Sequence, residues 1–152
     1  RLADASPEGV AAYAATLEAD LARVRAFDSA GLDPATRTSL EVVESAYATA
    51  LAGFALPYGD IPVGSWRTAP YVVIQNVGAY LDVPRFLDSE HQVRSAEDAQ
   101  SWLARLARYP AALDGELERM QAARAVGLIP PAFLIDKALE QLTASATGLS
   151  LA

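Results

Sequence analysis

Apolar residues recur at three- and four-residue spacing along most of the chain, the signature of one-sided helices. From Pro7 to Phe27 the stripe is Val10, Tyr13, Ala14, Leu17, Leu21 and Val24. Ser6 stands where an N-cap belongs, Pro7 suits the first helical position, and Glu8 meets the positive end of the dipole. A turn over Asp28 to Leu32, with Gly31 inside it, predicts a stop. Asp33 and Pro34 repeat the cap-and-proline start, and Leu40, Val43, Tyr47, Leu51 and Phe54 carry a second stripe as far as Ala55. Residues 1–55 therefore predict an antiparallel helical hairpin.

The pattern then breaks. Pro57, Gly59, Pro62, Gly64 and Pro70 exclude a long helix between Leu56 and Pro70. A loop of this length is functional or packed on something else. Tyr71 to Tyr80 reads two ways. The run Tyr71-Val72-Val73-Ile74 favours a strand, while Val73, Val77 and Tyr80 fit a helical face. The helical surroundings favour the helix. Val83 to Ser89 predicts one helical turn with Pro84 at its start, so residues 56–94 form a loop with short helices.

Ser95 opens a further array over residues 95–148. Ser95-Ala96-Glu97-Asp98 approximates a capping box, with Asp98 in the glutamate position. Trp102, Leu103, Leu106 and Tyr109 predict the buried face, and Pro110 should break or kink the helix. Leu113, Leu117 and Met120 continue the pattern to Val126, with Gly127 as C-cap. Pro130 and Pro131 precede a last helix with Phe133, Leu134, Ala138, Leu139 and Leu142 inward, ending near Thr147 and Gly148. The expected class is all-α: a hairpin, a Pro/Gly loop, and three or four further helices, taken as a single unit.

Composition narrows the function classes. Alanine, the strongest helix former, is about a fifth of the 152 residues, which strengthens the helical reading. A chain of this length buries roughly 70% of its unfolded surface, enough for a core without disulfides. The absence of Cys excludes disulfides, thiolate catalysis and Cys-ligated zinc. With 12 basic and 19 acidic residues the net charge is −7, against the basic footprint that nucleic acid requires. No apolar run reaches the roughly 18 residues of a membrane span. Mean hydropathy is nevertheless +0.15. The chain also starts at Arg1 rather than Met. Together these suggest a fragment or processed product whose apolar surplus meets another piece of protein.

Candidate chemistry is sparse. His91 is the single histidine, in Asp88-Ser89-Glu90-His91. It could act as a general base or a lone metal ligand, but a histidine hydrogen-bonded to backbone or solvent is the plainer reading. Ser89, His91 and Asp88 lie too close in sequence for triad geometry. Trp66, Arg67, Tyr71, Gln75 and Tyr80 cluster in and after the loop. They could line a ligand cleft in which Arg67 holds a carboxylate. Alternatively the aromatics close the bundle and Arg67 is a surface charge, which is the preferred reading. Glu90, Glu97, Asp98, Asp114, Glu116 and Glu118 read as solvated faces, with Asp20–Arg23 and Glu116–Arg119 as i,i+3 pairs. No glycine-rich phosphate loop is present.

Four segments carry a resemblance. They are APYVVIQNVGAYLDVPRFLDSEHQ ending at Gln92, Asp98 to Leu106 (DAQSWLARL), Ala112 to Arg119 (ALDGELER) and Gly127 to Lys137 (GLIPPAFLIDK). In this order the chain resembles the bacterial family catalogued as domain of unknown function 885, firmly in its second half. The resemblance implies a mostly helical protein several times longer, similar to zinc metallopeptidases with a helical cleft. Its metal would lie at a His-Glu motif in the C-terminal part. This chain has only Glu90 before His91, in the reverse order, so no metal ligand carries over.

The resemblance thus implies a non-catalytic N-terminal helical portion forming one wall of a substrate cleft. It implies no catalytic residue, cofactor or metal site in this chain, with zinc in the full-length parent. Trp66, Arg67, Tyr71, Gln75, Tyr80 and His91 are the cleft candidates. Expected partners are the parent's C-terminal half or a second copy bound through an apolar face. Family members are often exported, which suggests a periplasmic or envelope location and leaves a cytoplasmic one open. Two alternatives stand beside this: a self-contained acidic helical module that binds a basic partner, and a small enzyme using His91.

Overall fold

Helix starts fall where the sequence places their caps. The computed structural model describes residues 3–56, 58–59 and 69–147. The Ser6 hydroxyl accepts from the Gly9 amide at 3.1 Å at the start of α1, Pro7–Arg25. Asp33 accepts from Ala35 and Thr36 at the start of α2, Pro34–Phe54. Ser95 accepts from the Asp98 amide at the start of α4, Ala96–Leu106. Each cap satisfies amides that the first turn leaves without a carbonyl partner. The remaining elements are α3 (Ala79–Arg85), a π turn (Phe86–Glu90), α5 (Tyr109–Ala125) and α6 (Ala132–Ala146). The fold is all-α.

The chain divides into two compact units, Val10–Pro70 and Arg1–Gly9 with Tyr71–Ala152. In the first, Leu17 and Leu21 of α1 and Ala50 of α2 are buried. Tyr13 meets Phe54 edge-on at 6.0 Å between centroids, and Arg25 pairs with Glu44 at 2.9 Å. The start of α1 thus faces the end of α2, an antiparallel pair. The i,i+3 pair Arg23–Asp20 forms at 2.9 Å on the surface of α1.

In the other unit the core is Ala79, Val83, Leu87 and Ala112, with Phe86, Trp102, Tyr109 and Leu113 packed against it. Burying a Val or Leu side chain completely contributes about 1.5–3 kcal/mol, and Val83 and Leu87 approach that limit. Helices α3 and α5 meet at Ala112, and Gly115 is buried on the same side of α5. A Cβ on Gly115 would lie 2.5 Å from the Ser6 amide nitrogen, so only glycine lets the N-terminal segment cross there.

Three expectations are corrected. Residues 71–78 are not helical. They form bends and a tight turn in which Ile74 and Val77 exchange backbone hydrogen bonds of 3.0 and 3.2 Å. Helix α3 begins only at Ala79, so Pro84 lies inside it rather than at its start. The inward faces of the last helices also differ from the apolar stripes. Leu103, Leu106, Leu117, Met120, Phe133, Leu139 and Leu142 are exposed, whereas Ala112 and Gly115 are buried; Ala138 is buried as expected. Close approach of backbones favours the small residues, and the larger apolar ones turn outward.

Two other breaks follow their local chemistry. Pro110 separates α4 from α5 and sits in the first turn of the latter. After α5, Gly127 has φ +84°, its amide donates to the Arg124 carbonyl, and the Leu128 amide reaches back to Ala123. That pair of bonds is a Schellman closure, and a positive φ is what glycine supplies.

Candidate functional site

The corner around the π turn concentrates the unit's irregular backbone and the side chains that satisfy it. Pro84 has no amide hydrogen, so the Tyr80 carbonyl, four residues earlier, loses its helical donor. The Tyr109 hydroxyl takes that place at 3.3 Å. In the π turn the His91 amide donates to Phe86, five residues back, at 2.9 Å. The Leu87 carbonyl receives the Trp102 indole N–H at 2.9 Å. The Ser89 hydroxyl donates back to the Arg85 carbonyl. Gly78 offers α3 no side-chain cap, and the Glu116 carboxylate from α5 accepts the Ala79 amide instead, at 2.8 and 2.9 Å. Pi turns of this kind often mark functional sites.

His91 closes the turn and is held from both sides. Its Nδ1 lies 2.7 Å from an Arg105 nitrogen and its Nε2 lies 3.1 Å from the Asp98 carbonyl. A guanidinium only donates, so Nδ1 accepts and Nε2–H donates to the carbonyl. The Arg105 guanidinium also lies 5.8 Å from the Phe86 ring centroid, and Phe86 meets the imidazole edge-on. The Arg94 amide donates to the Asp98 carboxylate at 3.0 Å. That bond, followed by those from Ser95, holds the Asp98 carboxyl below its ordinary range.

Beside this corner lies a cleft of about 770 Å³. Leu87, Trp102 and Tyr109 give it apolar and aromatic walls, and His91, Gln92 and Arg94 supply polar groups. Apolar walls with a few polar groups are the general make-up of a ligand pocket. It contains no activated nucleophile. Both ring nitrogens of His91 are engaged, by Arg105 and by the Asp98 carbonyl. Among the described residues no group of three His, Asp or Glu side chains could hold a metal ion.

The sequence-predicted candidates separate. Trp66 and Arg67 lie outside the described residues. Tyr71 lines a different, apolar groove. Gln75 sits in the turn between Ile74 and Val77 and is half-buried. Tyr80 is 2% exposed, and its hydroxyl lies 3.0 Å from the Ile74 carbonyl and 2.6 Å from Gln141 Oε1. Burial, with Asp82 and Glu116 nearby, pushes its phenol above the ordinary value. Only His91 lines the cleft. Trp102, Arg105 and Tyr109 escaped the sequence reading as site residues. The signal available for them was indirect: Pro84 releases a carbonyl that some distant donor must reach.

The chain belongs to the family described as bacterial protein of unknown function (DUF885), whose model matches residues 1–151. The match extends through the first half, where the sequence motifs were less specific. Neither the curated proteins nor the solved structures contain a match. No helix among the described residues is long and apolar enough to cross a membrane.

Proposed function

We propose that this chain is a non-catalytic helical wall of the substrate cleft in a metallopeptidase-like hydrolase, whose metal is held by residues outside these 152. The observation that carries the reading is the cleft at the π turn. Its aromatic walls are locked by their own hydrogen bonds, and its single imidazole is committed to Arg105 and Asp98. Preorganised walls with no reactive group suit binding rather than chemistry. Family membership supplies the context, and the resemblance to helical-cleft metallopeptidases supplies the hydrolase class.

The test uses the chain as it stands, with unfolded casein as substrate and zinc as metal. The chain is expected to retain no stoichiometric zinc after dialysis, to release no casein fragments, and to bind casein-derived peptides with amide shifts at His91, Gln92 and Trp102. Trp102→Ala should weaken that binding about tenfold, the effect of losing a buried aromatic anchor. Casein hydrolysis or tightly held zinc overturns the non-catalytic assignment. Peptide shifts that avoid the cleft overturn the wall assignment.

A further inference from the structure

The walls of the cleft at the π turn leave few polar atoms for a ligand. The Trp102 indole N–H is spent on the Leu87 carbonyl and the Tyr109 hydroxyl on the Tyr80 carbonyl. Both ring nitrogens of His91 are engaged as well. All three rings line the cleft, yet what they offer it is carbon and π surface. Leu106, beside them, adds a wholly apolar side chain. A polar ligand atom lodged against these walls would leave water without gaining a partner, whereas an apolar group gains by leaving it.

The remaining polar groups are the exposed side chains of Asp88, Gln92 and Arg94. Arg94 donates to Gln92 Oε1, which occupies the amide oxygen. Gln92 and Arg94 are thus left chiefly as donors, and the Asp88 carboxylate is the acceptor. Each residue of a peptide backbone brings one carbonyl and one N–H, the complement of such a set. The one carboxylate and the one guanidinium also balance each other, so an uncharged segment suits the cleft better than an acidic or a basic one.

On the basis of the substrate-wall reading above, we propose that the cleft is a specificity pocket for a large, wholly apolar side chain within an uncharged stretch of peptide. Trp102, Leu106 and Tyr109 set that choice. Phenylalanine fits best, because ring-on-ring contact adds to what burial alone gives. The volume of about 770 Å³ admits such a side chain together with the backbone on either side of it.

Calorimetry and amide-shift mapping on the 152-residue chain test the choice. The probes are N-acetyl-Ala-Ala-Xaa-Ala-Ala-amide peptides in which Xaa is Phe, Leu, Gln, Glu or Lys. The phenylalanine peptide should saturate with shifts at His91, Gln92 and Trp102. It should bind roughly tenfold or more tightly than the glutamine peptide, the effect of burying an amide without partners. Leucine should fall between the two, and glutamate and lysine should bind no better than glutamine. Leu106→Gln, at a position 39% exposed, gives the wall a polar partner and should cut the preference to about threefold or less. Equal binding of the phenylalanine and glutamine peptides, or tighter binding of a charged one, with shifts in the cleft, overturns the specificity and leaves the wall reading standing. Saturation by no peptide, or shifts that avoid the cleft, overturns both. An unchanged preference in Leu106→Gln overturns the assignment of the choice to these walls. If Leu106→Gln fails to fold, the peptide series on the unaltered chain still decides.

Discussion

The α1–α2 pair and the corner around α3 are built on different principles. In the pair, each helix starts on its own cap, and the contacts between them are an edge-on aromatic pair and an exposed ion pair. In the corner, almost nothing is locally complete. The start of α3 depends on Glu116, the carbonyl freed by Pro84 on Tyr109, and the π turn on Trp102, across 37, 29 and 15 residues of chain. Regular helices satisfy their backbone internally, whereas an interrupted helix must borrow donors from elsewhere. The borrowing brings aromatic and ionisable side chains together, and that is why the cleft lies there.

The sharpest test of this contrast is Tyr80, the most buried of the core side chains at 2% exposed. Tyr80→Ala should cost about 3–5 kcal/mol, as large-to-small aromatic replacements in cores do. Tyr80→Phe, which removes only the hydroxyl bonds, should cost about 1–2 kcal/mol. Denaturant unfolding measures both, and equal losses would show that the hydroxyl rather than the ring holds the site.

Glycine replacement should reverse sign between the two regions. Alanine favours a helix over glycine by about 1 kcal/mol. Yet Gly115→Ala should lose about 1–3 kcal/mol, because the added methyl meets the backbone of Ala5 and Ser6. Gly31→Ala, in the turn between α1 and α2, meets nothing within 4 Å and should be neutral or gain about 0.5 kcal/mol. Melting curves of the two variants give the comparison directly.

Trp102→Phe keeps an aromatic wall but strands the Leu87 carbonyl, at a cost of about 1–2 kcal/mol. Faster amide exchange over 86–91, with α1 and α2 unaffected, is the expected pattern. A uniform change across the chain would contradict the local role.

Alkaline pH should separate the regions as well. Burial, then Asp82 and Glu116, raises the Tyr80 phenol above 10.0, and burial with Glu116 raises Tyr109. A raised folded pKa confers stability that is present below the unfolded value and lost as pH climbs through the folded one. The corner should therefore loosen above about pH 10. Acid acts on the caps. Thr36 holds the Asp33 carboxyl below 3.8, so the α2 cap persists above that value and fails as pH falls through the lowered one. Circular dichroism against pH checks both directions. The smallest effect belongs to Arg25→Ala, which removes the exposed pair with Glu44. It should cost less than about 1 kcal/mol, and the loss should shrink further in high salt.

Much of the fold was legible because it is local. Ser6, Asp33, Ser95 and Gly127 cap or close helices through bonds spanning a few residues, and Pro110 breaks one through its own missing hydrogen. The Tyr71 to Gly78 segment was not legible as a turn, because a β-branched run at helical spacing satisfies two patterns at once. The inward faces of α5 and α6 were misread for a related reason. Apolar periodicity ranks Leu117 and Phe133 above Ala112 and Gly115, but close backbone approach rewards small size.

Of the candidate site, sequence supplied His91 and the plainer reading of it as a hydrogen-bonded residue, without its partners. By itself, then, the sequence determined the all-α class, the starts of α1, α2 and α4, the stop at Gly127, and the family, since caps, prolines and motifs act over short stretches of chain. Tertiary structure alone decided which faces are buried and which distant donors complete the interrupted backbone. It also decided that both ring nitrogens of His91 meet partners beside a cleft. Those outcomes depend on how far apart in sequence two groups can lie and still meet, which no local pattern encodes.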